Sequence, residues 1–261
     1  AMELGADIHG AVTDVFVNAD GIKKSISAPG AGNYVSFAKA VASAVVIAGE
    51  ESVKKHSFIH AHGSSTPANR VTESEIFDRV AKAFDIHDWP VTAAKAFVGH
   101  SLAGASGDQF TFALGTFKYD IVPGIKTVDK IAEDVRQERM LFPLEDLDVS
   151  DRKMDVAFIN SKGFGGNNAT AVLLSPNKVE QMLSRRYGQA MSDYQQRREQ
   201  TRKAAAAYSS RADNGEVNVV YRFGEPLIDE TGIDISQDGI HMPGYEQNVV
   251  FDKANPWSDM G

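Results

Sequence analysis

Residues 154–175 read MDVAFINSKGFGGNNATAVLLS. Two apolar runs, MDVAFINS and ATAVLLS, form strands, and KGFGGNN between them forms a hairpin with a glycine-rich connection. A plain hairpin turn does not need so many glycines. Gly163, Gly165 and Gly166 surround Phe164, a composition that lets backbone approach a ligand closely while the ring projects from the loop. No helix follows to offer a positive dipole end, which weakens a phosphate-binding reading.

Upstream of the hairpin, strand and helix patterns alternate. DIHGAVTDVFVN, residues 7–18, is a strand ending at the turn Ala19-Asp20-Gly21. Asn33 is placed to cap a helix from about Tyr34 to Ala48, closed by Gly49. SFIHA, residues 57–61, is a short buried strand, and Thr72 with Glu75 forms a capping box ahead of ESEIFDRVAKAF. WPVTAAKAFV is strand-like, and GHSLAGASGDQFTFALGTFKY is a glycine turn leading into a helix. With a connector of about 35 residues before the hairpin, the order is β-α-β-α-β-α-β-β. That order specifies an α/β layered domain over residues 1–175, with chemistry gathered on the loops at one rim of the sheet.

Residues 176–261 have a different character. Val179, Met182, Leu183, Tyr187, Ala190, Met191 and Tyr194 recur at helical spacing, predicting one long amphipathic helix over about 176–208. Between Lys178 and Arg211 there are eight Lys/Arg against three Asp/Glu, so this segment is +5 where the chain is −8. The expected role is a helix docked on the acidic body, and the alternative is a landing site for an acidic partner. The tail from residue 212 is expected to be mostly irregular, with a short strand at VNVVYRF, residues 217–223.

The net charge of −8 argues against general nucleic-acid binding, which needs a basic face. No apolar run of the roughly 18 residues that spanning a membrane requires is evident, nor a secretory signal pattern, and a cytoplasmic location is expected. There is no cysteine, which excludes disulfides, thiolate metal sites and a cysteine nucleophile within these residues.

Three loops carry candidate chemistry. In FIHAHGSSTP, residues 58–67, His60 and His62 could share a strand face as metal ligands, yet nothing nearby supplies a third ligand, so no metal is expected. In GHSLAG, residues 99–104, Ser101 sits where a nucleophile elbow would place it, with Ala103 in place of the last glycine. The third loop is NSKGFGGNNA, residues 160–169.

In this order on strand ends, HAHGSSTP, KAFVGHSLAGASG and NSKGFGGNNA resemble the C-terminal half of β-ketoacyl-acyl-carrier-protein synthases of the thiolase superfamily. The resemblance covers about residues 5–174, and the extension is similar to that of the longer proteobacterial ketosynthases. It implies a thiolase-like α/β half with a mixed sheet. It also implies decarboxylative condensation of an acyl thioester with malonyl on acyl carrier protein, in fatty-acid or polyketide synthesis. On this resemblance His62 and His100 are the two histidines of a Cys-His-His triad and Lys95 is the lysine that orders the site. Ser64 and Thr66 are the hydroxyl pair that bonds the phosphopantetheine arm. Phe164 is the gating ring, and Gly163, Gly165 and Gly166 let its loop move. His60 becomes a strand-end residue. His100, expected at a helix N-terminus, would be kept neutral by the helix dipole.

Arg70 and Lys162 depart from the family pattern, and the lysine's acidic partner aligns near Gln109, with Asp108 the nearest carboxylate. No cofactor is implied, since phosphopantetheine arrives on the carrier protein or CoA substrate. The expected partners are acyl carrier protein, malonyl and acyl thioesters, an N-terminal ketosynthase half holding the cysteine, and a second copy in a homodimer. Without that cysteine the chain alone is expected to be inactive. Two other readings stand beside this one: an acyltransferase or hydrolase using Ser101, and a non-catalytic thiolase-fold subunit.

Overall fold

The computed structural model describes residues 1–21, 30–64, 66–217, 228–256 and 258–260. They fall into two compact units, residues 1–203 and 204–261.

In the first unit the elements run β1 (Ala11–Ala19), α1 (Ala31–Ala48), α2 (Glu50–Lys55), β2 (Ser57–His60), α3 (Pro67–Phe84), β3 (Trp89–Thr92), α4 (Lys95–Val98) and α5 (Ala105–Tyr119). After the short strands β4 (Ile121–Val122), β5 (Met140–Leu141) and β6 (Leu147–Asp148) comes the hairpin of β7 (Val156–Gly163) and β8 (Asn167–Leu174). The six-stranded sheet has the order β1-β8-β7-β2-β3-β5. β1, β8 and β7 pair antiparallel, whereas β7-β2, β2-β3 and β3-β5 are parallel. The sheet is therefore mixed. Each parallel pair is bridged by a helical crossover, and the hairpin needs only a tight turn.

The strands alternate sides. Ile59, Val91, Val156, Phe158 and Val172 face a core shared with Phe37, Val41, Ile76 and Phe77 of α1 and α3. Phe58, Ala157, Ile159 and Leu173 face Ala113 and Phe117 of α5. Phe37 organises the first core: its ring lies 4.9 Å from Phe77, 5.8 Å from Trp89 and 5.9 Å from Phe158. By length and composition α1 could cross a membrane, contrary to the reading of the sequence, with a mean hydropathy of 1.3. Its place in the fold is a core helix, with Phe37, Ala40, Val41 and Ala44 fully buried against the sheet.

Several helix starts differ from expectation. α1 begins at Ala31 after Gly30, so Asn33 is a buried first-turn residue and not a cap. Gly32 N–H instead donates to Asp20 Oδ1 at 2.7 Å. α3 begins with Pro67 at the first helical position, where its missing N–H costs nothing. Thr72 thus lies inside the helix and donates to Ala68 O at 2.8 Å, while Glu75 pairs with Arg136. The capping box is not formed. The connector adds β5 to the sheet edge, which its sequence did not announce.

The basic stretch is two helices, α6 (Pro176–Tyr187) and α7 (Ala190–Asp213), broken at Gly188 with φ +28. Ser175 caps α6 by accepting from Lys178 N–H. Tyr194 of α7 is fully buried and donates to Ala6 O at 3.0 Å. Arg202 holds Asp7 in a two-point ion pair, and Arg198 pairs with Glu180 over the Tyr194 ring.

The second unit contains three short strands, β9 (Asp234–Ile235), β10 (Gly239–His241) and β11 (Val249–Val250), in antiparallel order β11-β10-β9. Of the strand expected over residues 217–223, all but Val217 lies outside the described residues.

His60 is fully buried between Phe58 and Phe112, and neither ring nitrogen has a hydrogen-bond partner. Burial, with Lys95 adding to it, pushes its pKa down to about 3. Because the folded value lies below the ordinary one of about 6.5, the stability tied to neutral His60 is complete above pH ~6.5 and is lost as pH falls toward 3. His60→Leu keeps the volume and removes the titration. Urea unfolding across this range is expected to show a shallower acid decline for His60→Leu than for the wild type; parallel declines refute the assignment.

Candidate active site

The site is built where β2, β3 and β7 end. β2 stops at His60, so the alternation that would put His60 and His62 on one face does not continue. His60 turns into the core, and His62, only 4% exposed, opens on the rim. Gly63 allows the turn that follows. Its φ is +57, and a Cβ there would meet Ala93 Cβ at 2.6 Å.

Glu73 of α3 fixes this loop. One oxygen of its carboxylate accepts His62 N–H at 2.7 Å and Asn160 Nδ2 at 2.9 Å. The other accepts Gly63 N–H at 2.9 Å and Asn69 Nδ2 at 2.8 Å. Sequence reasoning passed over Glu73. The available signal was its register: it shares the buried stripe of α3 with Ile76, Phe77 and Val80, and a carboxylate on an apolar stripe needs a reason to be there.

From the other strand end, Lys162 N–H donates to His62 Nδ1 at 3.2 Å. That nitrogen must therefore be unprotonated, and the neutral ring carries its proton on Nε2. His100 lies between α4 and a 3₁₀ turn over Leu102–Gly104. Its Nδ1 accepts Leu102 N–H at 3.1 Å, which places its proton on Nε2 as well. Leu102 has φ +56, a left-handed conformation that a leucine adopts at a cost. Here it aims the N–H at His100.

The two imidazoles stand edge to face, 5.4 Å between centroids at 80°. Both are held below the ordinary histidine range. Burial pushes His62 down to about 4; Glu73 opposes the shift, and Lys95, His100 and Lys162 add to it. His100 is exposed, and it is lowered by such desolvation as it has and by Lys95. The helix dipole is not the cause, since α5 starts only at Ala105.

Lys95, in the first turn of α4, donates from Nζ to His62 O at 2.6 Å. Its pKa is lowered by burial, against which Glu73 and Asp108 act. Asp108 itself accepts Ser101 Oγ at 2.5 Å. The Ser101 proton is thus directed to a carboxylate and not to an imidazole, which is not the arrangement of an activated serine.

His62, Ser64, Thr66, His100, Gly163 and Phe164 line one cavity of about 400 Å³. A second, of about 240 Å³, shares His62, His100, Lys162 and Gly163 and adds Val17 and Ser106. The Ser64 and Thr66 hydroxyls are 3.5 Å apart. β7 and β8 extend through Gly163 and from Asn167, so the hairpin connection shrinks to Phe164–Gly166. Gly165 and Gly166 take φ +77 and +79, and Phe164 is 82% exposed. The three loops singled out in the sequence thus converge on one concavity.

Residues 9–129 match a family model described as beta-ketoacyl synthase, C-terminal domain. Over all 261 residues the chain is 61% identical to the beta-ketoacyl-[acyl-carrier-protein] synthase FabY of Pseudomonas aeruginosa, and it spans 41% of that protein's length. The 3-oxoacyl-[acyl-carrier-protein] synthase 2 of Synechocystis is 33% identical over 114 residues, which are 44% of this chain and 26% of that protein. The crystal structure of the P. aeruginosa FabY ketosynthase superposes with a TM-score of 0.87 at 60% identity, covering all of this chain and 41% of that one. A ketosynthase from module 6 of the Bacillus subtilis bacillaene synthase superposes at 0.56 with 18% identity, over 64% of this chain and 32% of that one, a likeness of fold alone. Over residues 9–129 the chain carries a C-terminal ketoacyl synthase domain, and along its whole length it is similar to part of a FabY ketosynthase, with the thiolase-like fold of its ketosynthase neighbours.

Proposed function

We propose that this domain supplies the two-histidine half of a condensing site that joins an acyl thioester to malonyl-acyl carrier protein in fatty-acid synthesis. The carrying observation is the pair of neutral imidazoles, each with Nδ1 engaged by a backbone N–H, leaving an Nε2–H donor on each ring beside a shared cavity.

The chemistry needs such donors. When malonyl loses carbon dioxide, the electron pair of the broken C–C bond moves to the α-carbon and the thioester oxygen. Two N–H donors at that oxygen stabilise the developing charge without moving a proton. The carbanion then attacks the acyl thioester carbonyl, the C–S bond breaks, and the departing thiolate takes up one proton. Protonating His62 would put a hydrogen on Nδ1 facing Lys162 N–H, so the cationic ring is the wrong form. Ser64 and Thr66 offer hydroxyls to a pantetheine arm entering past Phe164.

The thiol comes from outside these residues, which contain no cysteine. We assign it to an N-terminal half that packs on the open face of β1. Val12, Val15 and Val17 there are 52%, 58% and 64% exposed, and Val17 already borders the histidines. Phe97, Val98 and Leu102 extend the uncovered apolar surface. The complete enzyme is then a cytoplasmic homodimer served by acyl carrier protein, and the chain by itself does not condense.

Malonyl-carrier decarboxylation by this domain joined to its cysteine-bearing half is the direct test. His62→Ala or His100→Ala is expected to lower the rate about 10²–10³-fold, the usual cost of one oxyanion donor; wild-type rates in both variants end the proposal. The unjoined chain should form no acyl thioester with a radiolabelled acyl donor, and labelling of Ser101 would favour a different enzyme. Because burial holds His62 near 4, the decarboxylation rate should be level from about pH 8 to about pH 6 and fall as pH approaches 4.

A further inference from the structure

Gln109, on the first turns of α5, is fully buried. Its Nε2 lies 3.2 Å from His60 O, 2.8 Å from Ala61 O and 3.1 Å from Asn160 O. Its Oε1 accepts Ser161 Oγ at 3.0 Å, and Ser161 is 2.9 Å from Ser106 Oγ. Since Ser161 spends its proton on Gln109, Ser106 is the donor in that second bond. Ser106 and Ser161 both line the cavity that holds the two histidines, so a chain of donors runs from the cavity wall through Gln109 to three carbonyls.

The place of those carbonyls matters. β2 and β7 pair in parallel through His60 and Ile159. Beyond that point β2 leaves the pairing, with Ala61 N–H bonding Thr92 O of β3. The backbone amide of Gln109 bonds within its helix, and its side chain occupies the fork where β2 and β7 separate. One arm of the fork continues into His62, the other into Lys162, whose N–H orients the His62 ring.

We propose that Gln109 is a positioning residue of this site: the two N–H bonds of its amide hold the ends of β2 and β7 at the separation that sets His62 against Lys162 N–H. The inference rests on the reading of His62 as a site imidazole. It requires a neutral donor at position 109, because three carbonyl oxygens converge on the nitrogen and a carboxylate oxygen in its place would face them. The titratable side chains tied into the same bonded network are His60 and His62, through their own or adjacent backbone, and Glu73, through Asn160.

Two variants separate donation from mere filling. Gln109→Met keeps the volume and removes both donors. Gln109→Glu keeps the shape and replaces the donor by an acceptor, which becomes a donor only when protonated. The carboxyl of Gln109→Glu would have its folded pKa raised above the ordinary value of about 4.3, so its variant is relatively most stable in acid and loses stability as pH rises. Urea midpoints, each referred to wild type at the same pH, should show Gln109→Glu recovering from pH 7 to pH 5 while Gln109→Met stays flat. Parallel behaviour of the two overturns the donor assignment.

Nitrogen-15 NMR of the His62 ring supplies the second readout. The wild type should show a single Nε2–H tautomer, and Gln109→Met a mixture of tautomers. Should Gln109→Met fail to fold, Ser161→Ala releases the amide oxygen and should produce a smaller shift of the same sign. In the joined enzyme, Gln109→Met or Ser161→Ala should lower kcat for malonyl decarboxylation with KM unchanged. An unaltered tautomer and rate in a system where His62→Ala lowers the rate as expected defeats the inference about Gln109. An unaltered rate in His62→Ala defeats the functional reading instead.

Discussion

The buried carboxylate of Glu73 is the constraint on which the rest of the site depends. Only 3% exposed, it receives four N–H donors from three directions: the loop after β2, its own helix, and β7. A carboxylate stripped of water is costly unless its lone pairs are filled. Four donors fill them, and charge-assisted bonds of this kind are about twice as strong as neutral ones. Each donor is thereby located. The backbone at His62 and Gly63 cannot shift without unsatisfying the anion, nor can Asn160, whose Oδ1 also accepts from Thr170. Sheet, loop and helix are registered to one another through a single residue.

That anchoring explains how the His62 imidazole remains neutral so close to a carboxylate. Taken alone, Glu73 would raise the pKa of His62, yet the shift is downward. Its oxygens point at amides and not at the ring, and the ring's desolvation outweighs the attraction. Lys95 and Lys162 add positive charge nearby. Lys95 is itself tethered to His62 O, so the cation that opposes protonation of the imidazoles is held by the same loop that presents one of them.

The alternation of strands and helices and the three loops were legible because each depends on local pattern: a strand end, a glycine where φ must be positive, an apolar stripe. What escaped depended on distant partners. Thr72 and Glu75 have the spacing of a capping box, but Pro67 starts the helix earlier, and in mid-helix the same two residues bond Ala68 O and Arg136. Asn33 is a fine cap by type and is overruled by Asp20, which accepts Gly32 N–H from twelve residues upstream of Gly32. Glu73 reads as ordinary helix polarity, and Gln109 only as the position near which the lysine's acidic partner aligns, because the partners of both come from β2 and β7. β5 is two residues whose only signature is the neighbour they pair with.

The basic helices show the same difference between composition and placement. A surplus of +5 could serve an acidic partner or an internal one, and charge counting does not distinguish them. In the structure Arg198 and Arg202 are spent internally, on Glu180 and on Asp7, and Arg197 Nε reaches Met2 O. Exposed ion pairs contribute roughly 0–1 kcal/mol each, so the half-exposed Arg202–Asp7 pair selects which surface α7 meets more than it holds it there. The holding falls to Met191 and Tyr194, buried at 6% and 0% exposure with the Tyr194 hydroxyl bonded to Ala6 O. Because that carbonyl lies just upstream of β1, the extension bears on the start of the strand whose other end, at Val17, borders the histidines. The helices that follow β8 thus meet the chain just upstream of a nine-residue strand whose Val17 borders the site.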